Sequence, residues 1–209
     1  MNASILIFDF DGVIVDSLDV FCACLLDVCR EHKLEQPATR EQFLRLFDTN
    51  MYEGLRACGL PASGQARLLA ELGARLSRDL SQCRPFPGIP EAFVCLARQC
   101  PLFIVTSNLS VVVRGWLDGH GITGIEDVLG ADRGTGKIAK LQGILQRYPG
   151  ATGYYVGDTR GDILEGRAAG VRTVAVTWGW HNEATLAAVR PDVVVRNPAE
   201  LSAAFECPV

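Results

Sequence analysis

Five short apolar runs rich in β-branched residues recur along the chain, at Ile5–Phe8, Leu102–Val105, Tyr154–Val156, Thr173–Val176 and Val193–Val195. Helical patterns separate most of them, at Val111–Leu117, Ile138–Gln146, Ile163–Ala169 and Glu183–Val189. This alternation constrains the fold more than any other feature. Parallel strands need crossover connections, and helices on both faces bury them, so each strand reads as a continuous apolar run.

The alternation breaks once. Residues 17–84 carry almost no strand signal, and Ser17–His32, Glu41–Phe47 and Gln65–Leu80 read as helices. Three prolines and a glycine in Arg84–Ala92 then mark a stiff re-entry, with Phe93–Arg98 expected as the next core helix. The expected class is therefore α/β, a Rossmann-like parallel-sheet core with an inserted all-helical cap domain. The core is expected over 1–15 and 86–209 and the cap over 16–85. Open α/β sheets bind ligands at the carboxyl ends of their strands, which is where such an insert would form a lid.

Composition excludes several roles. The 209 residues carry a formal charge of −4 and no basic run, so there is no electrostatic footprint for nucleic acid. No apolar stretch reaches membrane-spanning length, so no membrane partner is expected. The start, MNASILIFDF, has no cationic segment before its apolar run, and a cytoplasmic location is expected. None of the eight cysteines forms a C-x-x-C pair; reduced structural thiols are expected and zinc is not. Lysine occurs only at positions 33, 137 and 140, so any chemistry needing a lysine must use one of these.

The first run ends on two acids, in ILIFDFDGV. In extended backbone residues i and i+2 share a side, so Asp9 and Asp11 face one spot while Phe8 and Phe10 pack the other way. Gly12 lets the chain turn off sharply. The run YYVGDTRGD puts Asp158 and Asp162 after another strand. If the two strands are neighbours, three or four carboxylates converge, and each raises the pKa of the others unless a cation sits among them. Few protein ligands, with room for water and phosphate oxygens, point to Mg²⁺. FIVTSN ends another strand with Thr106, Ser107 and Asn108, neutral donors suited to phosphate oxygens. Lys137 opens a helix and adds a point charge. A carboxylate nucleophile, a second carboxyl as acid and base, a metal, a lysine and hydroxyl donors form the set that phosphoryl transfer requires.

The motifs DFDGVIVDS, IVTSN, Lys137 and GDTRGD resemble, in order and spacing, those of the haloacid dehalogenase-like superfamily. The helical insert resembles the cap of its phosphoglycolate phosphatase-like branch. That resemblance implies a Mg²⁺-dependent phosphatase acting on a small phosphorylated metabolite, phosphoglycolate or a similar ester, through an aspartyl-phosphate. It implies that Asp9 attacks phosphorus and that Asp11 protonates the leaving oxygen and then deprotonates water. By the same resemblance, Asp9, the Asp11 carbonyl and Asp158 would hold Mg²⁺, with Asp162 as a ligand or just behind one. Thr106 and Lys137 bind the phosphoryl group; Ser107 is the alternative hydroxyl and Lys140 the alternative lysine. Two competing functions are a sugar phosphomutase and a non-catalytic binding protein of the same fold. Mutases of this kind usually carry a histidine in the first cap helix, where this chain has Phe21. Arg45, Asn50, Tyr52 and Arg56 are the cap residues that could meet a leaving group.

Overall fold

The computed structural model describes residues 4–60, 62–134 and 136–205. In chain order the elements are β1 (Ser4–Phe8), α1 (Leu18–Glu31), α2 (Arg40–Arg45), α3 (Met51–Ala57), α4 (Ala62–Asp79), α5 (Ile89–Leu96), β2 (Leu102–Val105), α6 (Ser110–Gly119), β3 (Ile125–Leu129), α7 (Lys137–Arg147), β4 (Thr152–Gly157), α8 (Arg160–Ala169), β5 (Arg172–Val176), α9 (Glu183–Ala188), β6 (Val193–Val195) and α10 (Leu201–Ala204). The six strands form one parallel sheet in the order β3-β2-β1-β4-β5-β6. The fold is therefore α/β.

Strand β1 lies at the centre, every residue buried. Its period-two alternation divides the core into two layers. Leu6 and Phe8 pack with Phe93 of α5 and Trp116 of α6, whereas Ile5 and Ile7 pack with Leu141 and Ile144 of α7. Beside the sheet, α1 to α4 build a separate hydrophobic cluster from residues such as Leu25, Phe43, Leu55 and Leu72. Trp180, from the loop after β5, joins that cluster and so connects the helical layer to the sheet layer.

The five expected strands and all of the expected helices form, with shifted ends. Three elements go beyond the sequence reading: β3, α3 and the four-residue α10. In β3 (IEDVL) only Val128 is buried, because it is an edge strand; it lacks the continuous apolar run that marks the central ones. α3 contains Gly54 and spans only seven residues, too few to show a helical period. The helix expected from Phe93 starts at Ile89, since Pro90 is tolerated in a first turn. Among the cysteines, 22, 24, 29, 58, 83 and 95 are free thiols, as expected. Cys100 is disulfide-bonded, against expectation: composition and compartment arguments carry no information on which sulfurs the fold brings together. Cys207 lies outside the described residues. No described helix is long and apolar enough to cross a membrane.

Candidate active site

The site lies at the carboxyl end of the sheet, where β1 and β4 run side by side. The Asp9 N–H donates to the Val156 carbonyl at 2.8 Å, so the ladder extends one residue past β1 and fixes Asp9 in place. Asp9 Oδ1 accepts from the Phe10 N–H at 2.8 Å, and Oδ2 from Lys137 Nζ at 2.8 Å. Asp11 accepts from the Ser17 hydroxyl at 2.8 Å. Between them and the next strand sits Gly12, at φ 77°. A Cβ there would lie 2.0 Å from Asp158 Oδ2, and one at Gly179 would lie 2.3 Å from the Asp158 Cβ. Both glycines are needed for the chain to close around Asp158.

Asp158 is fully buried. Its Oδ2 accepts from the Trp180 N–H at 2.7 Å, and its Oδ1 has no hydrogen-bond partner. Asp162 is the opposite case. Its Oδ1 accepts from Lys137 Nζ at 2.7 Å and the Tyr155 hydroxyl at 3.0 Å. Its Oδ2 accepts from the N–H and the hydroxyl of Thr159, at 3.1 and 2.6 Å, in a capping box that starts α8. Four donors fill the four lone-pair positions of a carboxylate. One oxygen each from Asp9, Asp158 and Asp162 lies within 4.8 Å of the others.

Burial lifts the Asp9 pKa to about 7; Lys137 opposes this, and Asp162 and Asp11 add to it. Burial also lifts Asp11 to about 6, against the pull of the Ser17 hydroxyl, the Asn108 amide and Lys137. Asp158 is raised well above the carboxylate range by burial and by the charges of Asp162 and Asp9. Burial pushes Asp162 the same way, but Lys137, Thr159 and Tyr155 hold it below its ordinary value. For Lys137, burial favours the neutral amine, yet Asp162 and Asp9 outweigh burial and keep it charged. Lys140 is lowered to about 8 by burial and by Lys137. It donates to the Thr106 carbonyl at 3.1 Å, steadying the strand end rather than facing the acids.

Asp9, Asp11, Thr106, Ser107, Lys137 and Asp162 line one chamber, with Asp158 beneath it. Thr106 Oγ1 accepts from the Asn108 N–H at 3.0 Å, which leaves its proton free to donate. Asn108 Oδ1 accepts from the Leu109 N–H, and its Nδ2 is buried without a partner of good geometry. Among the described residues, the buried side-chain polar atoms that lack a partner are Asn108 Nδ2, Asp158 Oδ1 and Trp180 Nε1. All three belong to residues of this site or its walls, and such groups are rare in folded proteins.

From the cap side, Asn50 and Tyr52 line the chamber, together with Phe21, Phe47, Thr49 and Met51. Asn50 also caps α3 by accepting from the Glu53 N–H. Arg45 and Arg56 do not line it; Arg45 pairs with Glu41 at the surface. Two contributors, Glu165 and His181, escaped sequence reasoning. Glu165 lines the chamber, its pKa lifted by burial to about 7 despite Lys137; its i+3 spacing from Asp162 on α8 was the available signal. Trp180 both lines the chamber and fixes Asp158. His181 Nδ1 accepts from the Arg160 N–H at 3.0 Å, so the proton sits on Nε2, which donates to the cap carbonyl of Leu44 at 3.1 Å.

The sequence matches the haloacid dehalogenase-like hydrolase family over residues 6–176. It is 31% identical to a phosphoglycolate phosphatase of Synechococcus elongatus, with 94% of each chain covered. It is 28% identical to the probable phosphatase IndB of Dickeya dadantii, covering 94% of this chain and 91% of that one. In structure it resembles a haloacid dehalogenase-like hydrolase of Streptococcus pneumoniae, with a TM-score of 0.79, 21% identity and 98% and 99% of the two chains covered. A hydrolase of Pseudomonas syringae gives a TM-score of 0.79 at 20% identity, with 96% of each chain covered.

Proposed function

From the premise that the chain belongs to the haloacid dehalogenase-like hydrolases, in their phosphoglycolate phosphatase-like branch, and hydrolyses phosphate esters, we propose that it is a Mg²⁺-dependent phosphatase of small phosphate monoesters working through an aspartyl-phosphate. The observation that carries the metal is the unpartnered Asp158 Oδ1, buried within reach of two more carboxylates. A carboxylate oxygen left bare beside two further acids fits a cation, which would relieve the repulsion among the three. Asp9 and Asp158 have free lone pairs to hold it; Asp162, its four positions taken, acts from behind by fixing Lys137. Bound there, Mg²⁺ would neutralise the phosphate oxygens and keep the acids ionised.

The remaining work falls to the chain's own residues. Asp9 is held by the Phe10 N–H and Lys137 with an oxygen lone pair free, the condition for attack on phosphorus. Asp11, with its pKa near neutrality, suits proton delivery to the leaving oxygen and later removal from water. Lys137 remains charged and offers a third proton to a phosphoryl oxygen. The Thr106 hydroxyl and the Asn108 amide, with unspent donors, suit the other oxygens. Phe21 presents a ring to the chamber, so the cap offers no proton carrier there of the kind a mutase uses, which favours hydrolysis.

Release of phosphate from p-nitrophenyl phosphate, followed with and without Mg²⁺, tests the reading. Wild-type turnover should require the ion, and Asp9→Asn should abolish it while leaving the circular dichroism spectrum unchanged. A metal-independent wild type or an active Asp9→Asn variant would overturn the proposal.

A further inference from the structure

The chamber over Asp9 encloses only about 30 Å³, enough for water but not for the alcohol half of a substrate. It shares Phe21, Met51, Tyr52 and Ser107 with a second cleft of about 540 Å³. That cleft runs between α4 and the core loops around Asn108 and Ala131, and its size is that of a small-molecule site. Its α4 wall combines Leu69, Leu72 and Leu76 with the small residues Ala70, Gly73 and Ala74. Leu109 faces them from the core, and a Cβ on Gly73 would meet its Cδ1 at 3.9 Å.

Charge settles which leaving group this suits. Among the described residues, no lysine, arginine or histidine lines the cleft, and Asp132 is its one charged side chain. In the chamber the cation is Lys137, already held by two carboxylates, while Glu165 adds a further acid. A leaving group bearing a carboxylate, such as glycolate, would meet acids and no free cation. An uncharged apolar group would instead cover leucine side chains and displace water from them.

We infer that the substrate's leaving group is a bulky, uncharged, mainly apolar alcohol that lies in the cleft between α4 and the core while its phosphate lies over Asp9. The inference rests on the phosphatase reading and narrows its substrate class away from short carboxylated esters.

Binding of non-hydrolysable phosphonates to the Mg²⁺-loaded protein, measured by calorimetry, tests this without interference from intrinsic ester reactivity. Naphthylmethylphosphonate should bind at least tenfold more tightly than phosphonoacetate. Gly73→Leu, whose side chain would occupy the cleft and which favours a helix more than glycine, should bring that preference close to parity. Equal or tighter binding of phosphonoacetate to the wild type overturns the inference whatever the variant does. So does an undiminished preference in a Gly73→Leu protein with wild-type circular dichroism. The two readings fail separately. Tight naphthylmethylphosphonate binding without phosphate release from naphthylmethyl phosphate would refute the phosphatase and leave the cleft assignment standing. Mg²⁺-dependent hydrolysis with a preference for phosphoglycolate would do the reverse.

Discussion

Replacing Asp11 with Asn should make the ion-free protein more stable and nearly inactive. Asp11 is 7% exposed, and burial is the main reason its pKa rises from 3.8 to about 6. The sign follows from proton linkage: between these values the folded chain binds more protons than the unfolded one, so stability falls as pH rises. At about 1.4 kcal/mol per tenfold change in protonation, ionising Asp11 costs the fold roughly 3 kcal/mol above pH 6 and almost nothing near pH 4. Asn carries no charge, its Oδ1 can still accept from the Ser17 hydroxyl, and its backbone carbonyl is unchanged. Urea denaturation in EDTA should therefore find Asp11→Asn more stable by roughly 2–3 kcal/mol at pH 8 and nearly equal to wild type at pH 4. With Mg²⁺ present, kcat should fall by about 10²- to 10⁴-fold, the usual worth of a general acid–base group. A variant less stable than wild type at pH 8, or a stability difference independent of pH, would show that burial of charge does not govern this residue.

Two further substitutions probe the same region. Lys137→Met leaves Asp9 and Asp162 buried without their shared cation, which should cost about 3–5 kcal/mol at pH 8 and less at pH 5, where Asp9 is protonated; a loss under about 1 kcal/mol at pH 8 contradicts this. Gly161→Ala should improve helix propensity in α8 yet place a Cβ 1.6 Å from the cap carbonyl of Thr49. The cap must then shift, and kcat should drop at least about tenfold; steady-state kinetics within twofold of wild type would show the cap–core fit to be looser than described.

How much of this could be read from residues alone depends on how each group reports its surroundings. The central strands were legible because full burial leaves no room for polar residues, and period two fixed the side on which Asp9 and Asp11 fall. Asp158 and Asp162 were legible for the same reason at β4. What the sequence could not supply was the adjacency of β1 and β4, which rests on the chain passing from edge strand β3 back across β2 and β1 and leaves no local mark. β3 was lost because an edge strand tolerates Glu126 and Asp127. Glu165 and His181 were missed for other reasons: Glu165 offered only its i+3 spacing from Asp162, and His181 acts through a contact with Leu44, 137 residues apart. The direct roles of Thr106 and Ser107 also turn on which proton is unspent, a matter of hydrogen bonds rather than residue type.

The loop Gly179–His181 shows why the cap and the acids are better considered as one device. The Trp180 backbone N–H holds Asp158, while its ring packs edge-on against Phe21 and Phe47, with centroids 5.2 and 4.8 Å away. Its neighbour His181 grips the start of α8 through Arg160 and the cap through Leu44. A cap displaced from these rings would therefore remove apolar cover from the same residue that orients the carboxylate most in need of a cation. Desolvation, the largest cause of the raised pKa values of Asp9, Asp11 and Asp158, would relax with it. The cap's cover thus makes the acids costly to ionise without a cation, and in the proposed reaction the same cover would keep out water that screens charges near Asp9. The acids and their cover share one short loop, while the cleft proposed to receive the leaving group is built mainly from α4, so its lining can change with little effect on the acids.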